Sequence, residues 1–251
     1  MKKLNLKQCT SAIAALIMTL GFIPSLAASE ALNLDGINSN YLQQESITFN
    51  GSTSNDYTGA ITGTLGGVSG FFFCYDLANT ISIPGNYQVN PTSPTASFPA
   101  YLGLSPTFNL QVASSLLNSL NLSSFTNVNQ FTGLQLAIWS VLYNWTSSSQ
   151  STNLNGAHFS STVTGAALTN AQTFLADALA LVNSGHYTNT GGWQVLVNAN
   201  DSPGYVTQTL TGMVTPEPET YLLLGSFLLM AGYCCKRKWG ISSSVQNMAK
   251  Y

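Results

Sequence analysis

Residues 70–77, Gly-Phe-Phe-Phe-Cys-Tyr-Asp-Leu, carry the one cysteine that stands between Cys9 and Cys234. With no second thiol in the central chain, Cys74 is either a small core hydrophobe or a group kept for its reactivity. A second polar residue stands out downstream. When the stretch from Phe131 to Trp145 is laid out as a helix, Phe131, Leu134, Ile138, Trp139, Leu142, Tyr143 and Trp145 fall on one broad apolar arc. Gln135 lies inside that arc. A carboxamide there needs partners, since an unsatisfied one costs about 1 to 3 kcal/mol. Backbone groups are the ordinary partners. A solitary thiol and a solitary buried amide are nevertheless easier to explain together than apart.

Other routes to chemistry find little support. His158 and His186 stand far apart, with no carboxylate within four residues of either. One central cysteine and two separated histidines offer no metal-ligand spacing. There is no Gly-x-Ser-x-Gly elbow. Gly63, Gly66 and Gly67 are not followed by the Lys-Ser or Lys-Thr of a phosphate loop. The chain is therefore read as a non-enzyme with no metal and no cofactor; a hydrolase built on an unrecognised serine is the least favoured alternative.

The elements that must position Cys74 and Gln135 follow from periodicity. From about Ser46 to Ile83, alternation as in Tyr-Thr-Gly-Ala-Ile-Thr-Gly predicts strands joined by tight turns. Residues 71–75 predict a buried strand, with Phe72 and Cys74 on one face and Phe71, Phe73 and Tyr75 on the other. The Pro- and Ser-rich residues 90–106 predict a loop. Helices are expected over 111–120, 130–145 and 166–182, the last with Ala167, Ala171, Phe174, Leu175, Ala178 and Leu179 on one face. Strands return at 193–199 and 205–214. This order predicts an α+β fold: a strand-rich barrel or sandwich-like part with an inserted helical part, and a single-pass anchor helix at the C-terminus.

Phe73-Cys74-Tyr75-Asp76, followed downstream by Leu134-Gln135-Leu136-Ala137-Ile138-Trp139, resembles the thioester domain of bacterial surface proteins. In that family the glutamine sits in a Thr-Gln-x-Ala-Ile-Trp motif. Gln135, Ala137, Ile138 and Trp139 match it position by position, and Leu134 stands where the family has threonine. The resemblance spans roughly residues 45–210. It implies that the Cys74 and Gln135 side chains join in an internal thioester with loss of ammonia, and that Tyr75, Asp76 and Trp139 are candidates for orienting the pair. An amide is a poor acceptor for sulfur, so the fold would have to press the groups together, exclude water and stabilise the tetrahedral oxyanion. Because the thiolate attacks, local activation of the thiol is expected.

The two ends read as targeting segments. Lys2, Lys3 and Lys7 precede an apolar run that closes on Ser25, Ala27 and Ala28, a secretory signal over residues 1–28. Near the other end, Pro216-Glu217-Pro218 leads into the apolar Thr220–Cys235 stretch and then Lys236-Arg237-Lys238. That stretch is short for a bilayer span, which takes about 17 to 25 residues. The three-part order resembles the PEP-CTERM sorting signal that exosortase handles in Gram-negative bacteria, usually in species that make exopolysaccharide. The tail Trp239–Tyr251 extends beyond the usual end of such signals. The expected organisation is a signal peptide at 1–28, a thioester-type extracellular domain at 29–214, the sorting signal with its short transmembrane helix at 215–239, and a cytoplasmic tail at 240–251.

All the basic residues, Lys2, Lys3, Lys7, Lys236, Arg237, Lys238 and Lys250, lie outside the central stretch, which instead carries Glu30, Asp35, Glu45, Asp56, Asp76, Asp177 and Asp201. Nucleic acid is excluded as a partner, because phosphate binding needs cations. A domain without lysine also lacks a side-chain amine that would consume its own thioester. The expectation is an exported cell-surface or biofilm-matrix protein, anchored by its C-terminal helix before any processing. Its thioester would attach it covalently to a surface amine or a polysaccharide nucleophile. The alternative is a non-covalent structural component of the exopolysaccharide matrix, in which Cys74 and Gln135 are only core or stabilising residues.

Overall fold

The computed structural model describes residues 29–94, 107–199 and 210–213. The chain divides into a unit Met1–Met213 and a unit Val214–Tyr251. The signal segment 1–28, the sorting residues Pro216, Glu217, Pro218, Lys236, Arg237 and Lys238, the anchor helix and the tail all lie outside the described residues.

Turn chemistry organises the first strands. After β1 (Glu30–Leu34) come β2 (Leu42–Phe49) and β3 (Ser52–Gly59). Asn50 and Gly51 join the latter two at φ 48° and 82°, the left-handed pair that a two-residue hairpin requires. Gly66 and Gly67, at 56° and 84°, do the same between β4 (Ile61–Leu65) and β5 (Val68–Cys74). The chain continues through β6 (Gly85–Thr92), α1 (Thr107–Ser119), α2 (Val128–Asn144), β7 (Phe159–Ser161), α3 (Gly165–Asn183), β8 (Trp193–Asn198) and β9 (Leu210–Met213).

Six strands close an antiparallel barrel in the order β1-β4-β5-β9-β8-β6, and β3-β2-β7 form a separate three-stranded sheet. The architecture is α+β, with a barrel rather than a sandwich and with the three helices inserted between β6 and β8. In β1, buried Leu32 and Leu34 alternate with exposed Ala31 and Asn33, so one strand face turns into the barrel. Register carries that face through Leu65 and Ile61 to Phe72, and two residues further to Cys74.

Several strands were not expected. β1 lies ahead of the predicted strand region, and β6 runs into residues 90–92, which were expected as loop. The proline in β6 misleads. Pro91 pairs with Leu196 of β8, while β1 ends opposite Val89, so Pro91 has a strand on one side only. The three helices fall where periodicity places them, within a few residues at each end.

Helix α2 is the centre of the helical part. It is buried on every side from Phe131 to Leu142 and packs against α1, α3, β2, β3 and β7. Asn127 caps its start by accepting from the Gln130 N–H. Buried Asn109 of α1 secures its end, donating through Nδ2 to the carbonyls of Val141 (2.7 Å), Leu142 (3.1 Å) and Trp145 (2.9 Å). Gly133 sets the approach to α3: a Cβ there would lie 2.6 Å from Asn170 Cβ, 2.8 Å from Ala171 N and 2.9 Å from Ala167 O. Ala167, Ala171, Phe174, Leu175 and Ala178 form the buried face of α3, with Leu179 half-buried beside them.

Candidate functional site

The end of β5 leaves a backbone vacancy. Ile61, the first residue of β4, pairs with Phe72, so Cys74 lies beyond the end of that strand. On its other side Cys74 pairs with Leu210 of β9. The Gln135 carboxamide takes the place of the missing β4 partner. Its Oε1 accepts from the Cys74 N–H at 3.0 Å, and its Nε2 donates to the Cys74 carbonyl at 2.8 Å. The buried amide is thus satisfied by backbone, as amides usually are, and the backbone it uses is that of the lone cysteine. These two bonds hold the carboxamide against the Cys74 backbone. Both residues line one cavity of about 160 Å³.

Helical spacing extends the contact. Gln135, Trp139 and Tyr143 recur at i, i+4 and i+8 on one stripe of α2. The Tyr143 hydroxyl accepts from the Leu77 N–H at 3.0 Å and donates to the Tyr75 carbonyl at 2.8 Å. One stripe therefore holds the backbone of residues 74–77 at four points. Sequence reasoning placed Tyr143 on the apolar arc and missed its role; the signal was its polar tip, eight residues on from Gln135.

Each candidate orienting residue occupies a distinct place. Asp76 is fully buried. Its carboxylate accepts from the Ala78 N–H at 2.8 Å and Asn79 Nδ2 at 2.6 Å, and its carbonyl accepts from Cys74 Sγ at 3.1 Å. Tyr75, also fully buried, shares a hydrogen bond at 3.0 Å between its hydroxyl and Ser114 Oγ on α1. Trp139 lines the cavity with Cys74 and Gln135, and its indole Nε1, although buried, makes no hydrogen bond among the described residues. It lies toward the sulfur, where its N–H dipole favours the thiolate without closing a hydrogen bond.

The electrostatics run against the expected activation of the thiol. Burial pushes Cys74 far above its ordinary value of 9.0, and the Asp76 charge pushes it further; the Asp76 carbonyl and Trp139 only partly oppose them. Gln135 also sits in mid-helix, where its own turn offers no free backbone N–H as an oxyanion donor. The donor that does reach the Gln135 oxygen is the Cys74 N–H, and among the described residues the buried Trp139 indole at the cavity is without a hydrogen-bond partner.

The cavity walls include Leu42, Ile61, Leu77, Ile81 and Ile83, with Asp56 contributing a carboxylate. Among the described residues no group of His, Cys, Asp and Glu is placed to hold a metal, and no helix is long and apolar enough to cross a membrane. The chain matches no family model, no curated protein and no solved structure.

Proposed function

We propose that this chain is an exported cell-surface or biofilm-matrix protein whose Cys74 and Gln135 side chains form an internal thioester. A nucleophile on a partner surface or polymer opens it and remains attached through the former Gln135 acyl group. The observation that carries this is the docking of the Gln135 carboxamide on the Cys74 backbone, at 3.0 and 2.8 Å, inside a shared cavity. The reaction balances without a cofactor: sulfur adds to the carboxamide carbon, its proton passes to nitrogen, and ammonia leaves. Since burial holds the thiol neutral, the proton moves together with the attack rather than before it. The Cys74 N–H, already bonded to Gln135 Oε1 at 3.0 Å, is the donor available to the developing negative charge. Each protein bonds once, so this is adhesion and not turnover. Passage through an exosortase-type enzyme, with the C-terminal helix in the membrane at least transiently, completes the proposal.

Intact mass of the exported protein tests it. The expected mass is lower than the sequence mass by one ammonia, with no titratable thiol, and methylamine converts it to an adduct that frees the thiol. An unmodified mass with a titratable Cys74 refutes it.

One observation favours the second reading, a non-covalent component of an exopolysaccharide matrix. As an intact amide, Gln135 is already fully engaged by Cys74, and the thiol is held in its unreactive form. In that case the pair pins α2 to β5, and replacing Cys74 by Ser leaves matrix retention unchanged.

A further inference from the structure

The charge around the cavity is of one sign. Asp56 on β3 is half-exposed and lines the wall; its Oδ2 accepts from Ser54 Oγ. Its charge acts weakly on the Cys74 thiol, and that of Asp76 acts more strongly. No lysine or arginine occurs among the described residues. No histidine lines the cavity either: His158 Nδ1 lies 3.2 Å from Asn50 Oδ1 at the β2–β3 turn, and His186 begins the short helical turn after α3.

Nucleophiles differ in the charge they acquire. An amine attacks as a neutral group and its nitrogen becomes positive as the new bond forms. A hydroxyl must shed its proton to a base, or attack as an alkoxide. Neighbouring carboxylates stabilise the first and repel the second, and no imidazole lies at the cavity to serve as base. We propose that Asp56 makes this cavity selective for a primary amine over a hydroxyl, by stabilising the positive charge that nitrogen gains on adding to the Gln135 acyl carbon; this rests on the thioester reading above. The C–N bond forms, the C–S bond breaks, and one nitrogen proton passes to sulfur. The products are a secondary amide at Gln135 and a neutral Cys74 thiol, with no co-reactant. The aliphatic walls from Leu42, Ile61, Leu77, Ile81 and Ile83 fit an amine carried on an unbranched alkyl chain, as in a lysine side chain or an alkyl polyamine.

The test compares the exported parent with Asp56→Asn and Asp56→Glu, using n-butylamine, methylamine, n-butanol and glycerol at equal concentrations, and follows adduct mass with time. The expected result is that Asp56→Asn slows amine capture about tenfold, the scale of one screened charge on a transition state. Asp56→Glu recovers part of the amine rate. In the parent, raising salt to about 1 M slows amine capture and leaves hydrolysis alone; this arm does not depend on how any variant folds. Amine rates indifferent to both Asp56→Asn and salt, or butanol adducts forming as fast as butylamine adducts, overturn the selectivity while the thioester stands. A parent with no missing ammonia overturns both.

Discussion

Gln135 holds Cys74 by its backbone, continuing with one side chain the ladder that β4 begins only at Ile61. The arrangement needs both a donor and an acceptor on the same planar group, which a carboxamide supplies and a carboxylate or a methyl does not. Relative to parent protein that still carries the intact amide, Gln135→Ala leaves the Cys74 N–H and carbonyl unpaired and is expected to cost about 1 to 3 kcal/mol for each group left unsatisfied. Gln135→Glu keeps the acceptor but sets oxygen against the Cys74 carbonyl, and is expected to destabilise at neutral pH as well. Urea unfolding of both variants against the parent measures this. If either unfolds at the parent's midpoint, the paired hydrogen bonds contribute nothing.

Gly133 lies two residues before Gln135 and sets how closely α2 approaches α3. A methyl group there meets Asn170 Cβ at 2.6 Å and two backbone atoms of α3 below 3 Å, and backbone cannot swing aside as a flexible side chain does. Gly133→Ala is expected to lose about 1 to 3 kcal/mol despite the better helix propensity of alanine. Because the displaced helix carries Gln135, the fraction of protein lacking ammonia should fall as well. Urea unfolding and intact mass, read on the same sample, check both effects; an alanine variant more stable than the parent contradicts the close packing.

How legible this site was follows from its parts. Cys74 and Gln135 could be singled out because each breaks a pattern: one thiol with no second cysteine in the central chain, one amide in an apolar arc. Helices with a clear 3.6-residue period, such as α3 with Ala167, Ala171 and Phe174, were also legible. β1 and β6 were not. Their inward residues alternate with Asn, Gln and Gly in a chain where such residues are everywhere, and Pro91 signals a loop although it pairs on one side only. The brace from Tyr143 was hidden because an aromatic ring on an apolar arc looks like core until its hydroxyl finds Tyr75 and Leu77. The raised thiol pKa was hidden too, since it depends on burial and on where the Asp76 carbonyl and charge fall.

Alkaline stability separates the two buried acids. Cys74 keeps its proton in the fold well above its ordinary 9.0, and Tyr143 does so above its ordinary 10.0, both chiefly through burial. Above those values the unfolded chain has released protons that the folded chain still binds. The stabilisation is therefore complete below about pH 9 and is lost as pH rises from there toward the raised folded values. With the Cys74 thiol free, stability should begin to fall near pH 9; in Cys74→Ala the onset should move toward pH 10. Unfolding midpoints between pH 7 and 10.5 measure it. The same onset in both proteins means that Cys74 does not titrate differently on unfolding.

The absence of lysine from the domain has a consequence of its own if an amine is what opens the bond. Thr80 is exposed and lines the cavity, whereas Gln88 is exposed on the outer face of β6. Thr80→Lys brings an amine within reach of the acyl carbon at the high effective concentration of an intramolecular partner. The expected product still lacks one ammonia, because the lysine nitrogen replaces sulfur, but it now shows a titratable Cys74 thiol and no longer takes up methylamine. Gln88→Lys should behave as the parent. A Thr80→Lys protein that keeps its thiol blocked and its methylamine reactivity as long as the parent does would mean that the missing lysines protect nothing and reflect only the Ser- and Asn-rich composition of the chain.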